Sequence, residues 1–290
     1  MYPRFFLVLL IAAVISIEIG FNSLFIILLL LPLTVDRRAK ERILYTGRED
    51  WYTNAGLLLI IGFMGVLSTS IFKTNDALHR WAEKQPFYTD LNHWMASIPY
   101  NDGSFLWFRG LTVTDPFYNI YTIGFIGIYL IYAVYAFATA NRQMLVRLLF
   151  VNWFVHGVIA LPFYLFLNVH EVWSTMGYNW GHVPYSVKNC FPSLHTSVAF
   201  SCMLLARRES RSFAAIWGIY GALIIFTTLY LRIHWVIDVL GGLVLGWALY
   251  TLANKLAPYM LVRLERRRKR APRTTAPVLR TSISILQNRK

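Results

Sequence analysis

The sequence predicts an all-α, polytopic transmembrane helix bundle: a six-helix core plus one or two N-terminal hydrophobic segments. Three observations carry this. Of 290 residues, 57% are hydrophobic and only 14% charged, against about 25% charged in soluble domains. Apolar stretches of spanning length recur between charged clusters, and mean hydropathy is +0.47. The net charge of +14 is gathered at the ends of those stretches, the pattern of membrane topology rather than of nucleic-acid binding. A soluble enzyme and a disordered chain are both excluded.

The first hydrophobic segment, 5–34, is too long for one straight span, at about 45 Å of helix against a hydrocarbon core of about 30 Å. Glu18, Gly20 and Asn22 interrupt its middle. It is either one tilted helix with a snorkelling Glu18 or two short arms of a hairpin. No small-residue cleavage site is evident, so 1–50 reads as a retained anchor with a basic loop. Six spans follow, at 52–73, 118–139, 144–168, 193–207, 212–232 and 235–256, forming a domain over 51–257. A basic tail, 258–290, closes the chain.

Orientation follows from the basic residues. Arg37, Arg38, Lys40 and Arg42, then Arg142 and Arg147, then Arg207, Arg208 and Arg211 lie in short connections, and Arg263 to Arg270 open the tail. With six spans these four groups fall on one side, which the positive-inside rule makes cytoplasmic. The other side receives the loops 74–117 and 169–192 and the tight connection at Ile233–His234. The loop 74–117 is too long to be structureless. Its Trp81, Phe87, Tyr88, Trp94, Phe105, Trp107 and Phe108 form either an interfacial lid or an aromatic belt anchoring the fold.

Chemistry concentrates at the outer ends of two spans. Cys190-Phe191-Pro192-Ser193-Leu194-His195 opens one of them. Its plain reading is a well-capped helix start. Its chemical reading is a phosphate cradle of free backbone N–H groups, a hydroxyl and an imidazole, with Lys188 upstream as a cation. That span has only about 14 residues before Arg207, about 21 Å of helix. His195 is therefore expected in a recess reached laterally from lipid, roofed by loop 74–117. In the second stretch His234 and Asp238 stand at i and i+4 on one helix face, beside Arg232. An Asp held on one imidazole nitrogen leaves the other nucleophilic. An ionisable pair inside an apolar span is costly, which makes function its default reading. Gly241, Gly242 and Gly246 permit close helix packing.

Other groups read as structural. His156 in mid-span is expected to hydrogen-bond in the core, and His170 with Glu171 to face water. Cys190 and Cys202 are expected as free thiols, about 18 Å apart if on one helix. His195, His234 and Asp238 could serve as metal ligands, but no fourth ligand is evident and no metal is expected.

The run Phe191-Pro192-Ser193-Leu194-His195, followed by His234-Trp235-Val236-Ile237-Asp238-Val239, resembles the second and third signature motifs of the type 2 phosphatidic acid phosphatase superfamily. The resemblance covers roughly 118–256. It implies a six-helix catalytic membrane core and metal-independent phosphoryl transfer, with no cofactor. His234 is then the nucleophile, forming a phosphohistidine or activating an acceptor directly. Asp238 orients it, His195 protonates the leaving group, and Ser193 binds phosphate.

The first motif of that family, Lys, six residues, then Arg-Pro, is missing; the chain holds no Arg-Pro dipeptide. The third-motif Arg, six residues before its His, falls on Thr228, leaving Arg232 as the nearest cation. This loss is similar to the inositol phosphorylceramide synthase and sphingomyelin synthase branch. Lys188, Arg232 and His182 are candidate replacements for the missing cations. The implied function is a lipid phosphotransferase acting at the extracytoplasmic leaflet on a membrane lipid, with no nucleic-acid partner. The alternatives are a lipid phosphate or diphosphate phosphatase with water as acceptor, or a non-catalytic transporter or scaffold.

Overall fold

The computed structural model describes residues 48–73, 75–106, 116–177, 189–209 and 211–270. The N-terminal segment 5–34, Trp107, Phe108, His182, Lys188 and the tail beyond Arg270 lie outside the described residues. The chain is an all-α bundle of membrane-protein type. Its helices are α1 (Arg48–Lys73), α2 (Asn75–Ala82), α3 (Asn92–Ser97), α4 (Pro116–Asn119), α5 (Phe125–Ala138), α6 (Arg142–Phe150), α7 (Trp153–Phe166), α8 (Val172–Thr175), α9 (Leu194–Ala206), α10 (Arg211–Tyr230) and α11 (Val236–Arg270). A π-helical turn, Ile120–Gly124, joins α4 to α5. The strands β1 (Thr89–Asp90) and β2 (Leu167–Asn168) pair in parallel.

Three stretches are long and apolar enough to cross a membrane, Arg142–Phe166, Arg211–Tyr230 and Val236–Arg266. Tyr52–Ser68, Gly127–Ala138 and Leu194–Ala206 are shorter apolar helices. All six coincide with the stretches expected from sequence. Two differ in detail. The stretch 144–168 is broken where Asn152 takes an extended conformation and its side chain accepts from Phe154 N, capping α7. Asn152 Nδ2 then donates to Tyr129 Oη at 2.7 Å and to the Ile61 carbonyl at 3.3 Å, so the side chain at the break is bonded inside the bundle. The last helix runs past 256 to Arg270, continuing through Pro258.

Helix α9 lies at the centre. Leu194, Val198, Ala199, Cys202, Leu205 and Ala206 are all buried, packed against α10, α11 and α5. Its contact with α11 is close because Gly242 and Gly246 leave room. A Cβ on Gly242 would fall 2.6 Å from the Ser193 carbonyl, and one on Gly246 2.6 Å from the Ser197 carbonyl. The opposite face of α11 exposes Leu240, Val244, Trp247, Tyr259 and Val262. An apolar stripe of that length is suited to lipid rather than water.

Among the described residues, the basic connections at 140–142 and 207–209 meet at one end of the bundle. Asn141 Nδ2 donates to both Glu209 carboxylate oxygens, at 3.1 and 3.2 Å, and Arg142 Nε donates to Asn54. Arg147 departs from expectation: it sits inside α6 and is only 8% exposed, so it is a buried charge rather than a connection residue.

At the other end, segment 75–106 is bonded into the bundle. The Asn101 carbonyl accepts from Val236 N at 2.8 Å and its side-chain oxygen from Ile237 N at 3.0 Å. These bonds satisfy two of the amide donors a helix start leaves open. Trp81, Phe87, Trp94, Tyr100 and Phe105 remain exposed on this segment.

Candidate active site

The site is built where α9 and α11 begin. Pro192 and Ser193 start α9, and Ser193 Oγ accepts from Thr196 N at 3.3 Å as an N-cap. The amide of Ser193 donates to the Asp238 carbonyl at 3.0 Å. That bond, with Gly242 against the Ser193 carbonyl, fixes one motif directly against the other. Tyr164 Oη donates to the Pro192 carbonyl at 2.8 Å, holding the same segment from α7.

Helix α10 ends in a Schellman turn. Ile233 N donates to the Thr228 carbonyl at 3.1 Å and Arg232 N to the Leu229 carbonyl at 3.0 Å. The left-handed position of this turn, where glycine is usual, is occupied by Arg232 with φ 57°. The turn delivers His234 into the interior at 3% exposure. The ring centroids of His195 and His234 lie 6.0 Å apart, so one phosphoryl group can touch both.

His195 is held by aromatic rings. It stacks on Tyr121 at 3.9 Å and 17°, and leans on Phe125 at 4.1 Å. Tyr121 is carried by the π-helical turn, a feature frequent at functional sites. His234 Nδ1 is 3.5 Å from Asp238 Oδ2. That carboxylate oxygen accepts from Trp235 N at 2.9 Å and from the Cys190 thiol at 2.9 Å. Cys190 Sγ is also 3.3 Å from His234 Nδ1. Burial, then the neighbouring Asp238 charge, pushes the Cys190 thiol well above its ordinary pKa. It is a neutral group here, not a thiolate.

The structure thus brings together Ser193, His195, His234 and Asp238, with Arg232 on the turn that carries His234. Lys188 and His182 lie outside the described residues. Reasoning from sequence missed Cys190, Tyr121 and Asn101. Cys190 was within reach of notice, two residues before Pro192 in the same motif. Tyr121 and Asn101 lie more than a hundred residues from their partner on α11 or tens from His195, and nothing local marks them.

His156 behaves as expected: it is buried, with Nδ1 2.8 Å from Ser197 Oγ and Nε2 3.4 Å from Ser201 Oγ. His170 and Glu171 do not face water. Both are half-buried, and Glu171 accepts from the Trp173 indole. The reason is local packing: the Val172 and Trp173 amides bond to the Ile233 and Arg232 carbonyls, drawing this segment over the site. Burial pushes the Glu171 carboxyl up, against the lowering effect of the indole bond.

Among the described residues, Cys190, His234 and Asp238 present one donor atom each within 4.8 Å of one another. Zinc takes such a set in tetrahedral sites. This grouping differs from the one weighed on sequence, since Cys190 rather than His195 completes it.

The family described as the PAP2 superfamily matches residues 132–260. The matched stretch holds Ser193, His195, Arg232, His234 and Asp238. No curated protein and no solved structure matches the chain. The match supports a function of lipid phosphatase or phosphotransferase type in an integral membrane protein.

Proposed function

We propose that the protein transfers a phospho-headgroup between membrane lipids, in the manner of an inositol phosphorylceramide synthase. The observation that carries this is the convergence of His195, His234 and Asp238 at the capped start of α9. His234 Nε2 attacks phosphorus while the bond to the leaving oxygen breaks, and His195 gives that oxygen a proton. Asp238 holds the imidazole and stabilises the positive charge it gains. In the second half an acceptor hydroxyl gives its proton to His195 and takes the phosphoryl group, freeing His234. Ser193, the amides of the first turn of α9, Arg232 and Lys188 hold the phosphate oxygens. The catalytic unit is 51–257, between an anchor at 1–50 and a basic tail at 258–290. The site faces the extracytoplasmic leaflet, and the tail is cytoplasmic.

The absence of the Arg-Pro first motif, a loss similar to that of the synthase branch, supports transfer over hydrolysis. Water as acceptor is the second reading. The deciding experiment supplies purified protein with radiolabelled phospholipid, with and without ceramide, diacylglycerol or polyols. A new labelled lipid is expected; free phosphate as the sole labelled product makes the protein a phosphatase, and no turnover returns it to the scaffold reading. The reaction is metal-independent in this reading, so EDTA should leave the rate unchanged. Loss of activity with EDTA, restored by zinc, would instead assign the Cys190, His234 and Asp238 donors to a metal.

A further inference from the structure

We propose that Cys190 is a positioning residue: its thiol bridges Asp238 and His234, so that the carboxylate orients the imidazole through sulfur. The inference deepens the proposed function and rests on the reading of His234 as nucleophile. It begins from a gap. His234 Nδ1 and Asp238 Oδ2 are 3.5 Å apart, beyond the usual 2.7–3.2 Å of an N–H···O bond. The thiol fills that gap, 2.9 Å from Oδ2 and 3.3 Å from Nδ1. A thiol has one proton to give and lone pairs to accept with. The Ile233 carbonyl lies farther away, at 3.5 Å, so the proton goes to the carboxylate. Sulfur then accepts from Nδ1–H. This fixes the tautomer that leaves Nε2 with its lone pair.

The position of the thiol is set by its backbone. Asn189 bridges to Val169 and its side chain bonds to His79 at 3.1 Å. Pro192 is held by Tyr164 and Ser193 by the Asp238 carbonyl. Cys190 and Asp238 are both 0% exposed, so no bulk water competes for these bonds. Burial keeps the thiol protonated. No bond forms to sulfur in the reaction: Nε2 forms the bond to phosphorus, the leaving oxygen departs, and the thiol retains its proton throughout.

The test compares full-length Cys190→Ala, Cys190→Ser and His234→Ala, purified and assayed on labelled phospholipid. Protein-bound label after rapid quenching is normalised to folded protein. Cys190→Ala is expected to lower kcat roughly 10- to 100-fold at unchanged KM, the loss of one bond to a charged group. Cys190→Ser, which keeps a donor and an acceptor on a shorter arm, is expected to recover most of that loss. Wild-type kcat in Cys190→Ala overturns the proposal, as does a serine variant whose kcat per folded protein is as low as the alanine one. Should the alanine variant fail to fold, Cys190→Val, which fills the space without a donor or an acceptor, takes its place: slowed protein labelling is expected, and wild-type labelling overturns the proposal. Activity in His234→Ala strikes at the proposed function itself. An inactive His234→Ala beside a fully active Cys190→Ala removes the bridge alone.

Discussion

Arg232 holds a left-handed conformation (φ 57°) in the turn that ends α10, at a strain of roughly 1–2 kcal/mol for a residue with a side chain. A glycine would close the same Schellman turn without it; in the proposed mechanism the guanidinium at this position binds phosphate. Arg232→Gly should leave stability within about 1 kcal/mol of wild type, strain relief and glycine entropy offsetting, while phospholipid turnover falls. Equal activity in the variant would reduce Arg232 to a turn residue. Asp238→Asn should keep the fold and lose most of kcat, since an amide cannot stabilise an imidazolium; a melting curve beside the assay separates the two effects. At this scale His195, His234 and Asp238 were legible because helix starts and i, i+4 pairs are local patterns. Tyr121 was not, since its stacking on His195 exists only once α9 and the π-helical turn have come together, and Cys190, though inside the motif, meets Asp238 only when α9 and α11 pack.

The packing of α9 on α11 gives a sharper test at the level of elements. Gly242→Ala places a methyl 2.6 Å from the Ser193 carbonyl and 2.8 Å from Thr196 Cβ. Neither neighbour is the end of a flexible side chain, so the helices must part. The expected cost is about 1–3 kcal/mol, read as a lowered melting temperature, with reduced activity because Ser193 and His195 move with α9. Gly218→Ala on α10 is the control: nothing lies within 4 Å of its added methyl, and helix propensity gains up to about 1 kcal/mol. Destabilisation at Gly218 equal to that at Gly242 would refute the close-packing account. The six apolar elements could be read in advance because length and charge punctuation are properties of long windows. The break at Asn152 could not, since one amide in an apolar run does not disclose whether it will find Tyr129 and Ile61.

For the whole molecule the testable matter is sidedness. Both native cysteines are buried, so an impermeant thiol reagent meets little background. Met176→Cys, at an exposed position near the site, should react from outside intact cells or right-side-out vesicles. Arg207→Cys, exposed at the basic end, should react only after permeabilisation. The reverse pattern would place the site on the cytoplasmic face. The positions of the spans were readable because charged clusters punctuate the apolar stretches. The wiring of segment 75–106 was not, because an Asn101 that caps α11 looks like any loop asparagine until the chain has folded back.

Helix α11 carries Asp238 in its first turn and the run beginning at Arg263 near its last. By helical rise the two are about 38 Å apart. Arginines resist entry into hydrocarbon and keep that end among the headgroups, as a float keeps a line. The depth of the carboxylate below the opposite surface is then the bilayer thickness less a fixed length of helix. Biological membranes differ in that thickness by a few Å. In a thinner bilayer the carboxylate then stands nearer water and in a thicker one deeper, with Pro258 inside the helix as the point where a bend takes up part of the difference.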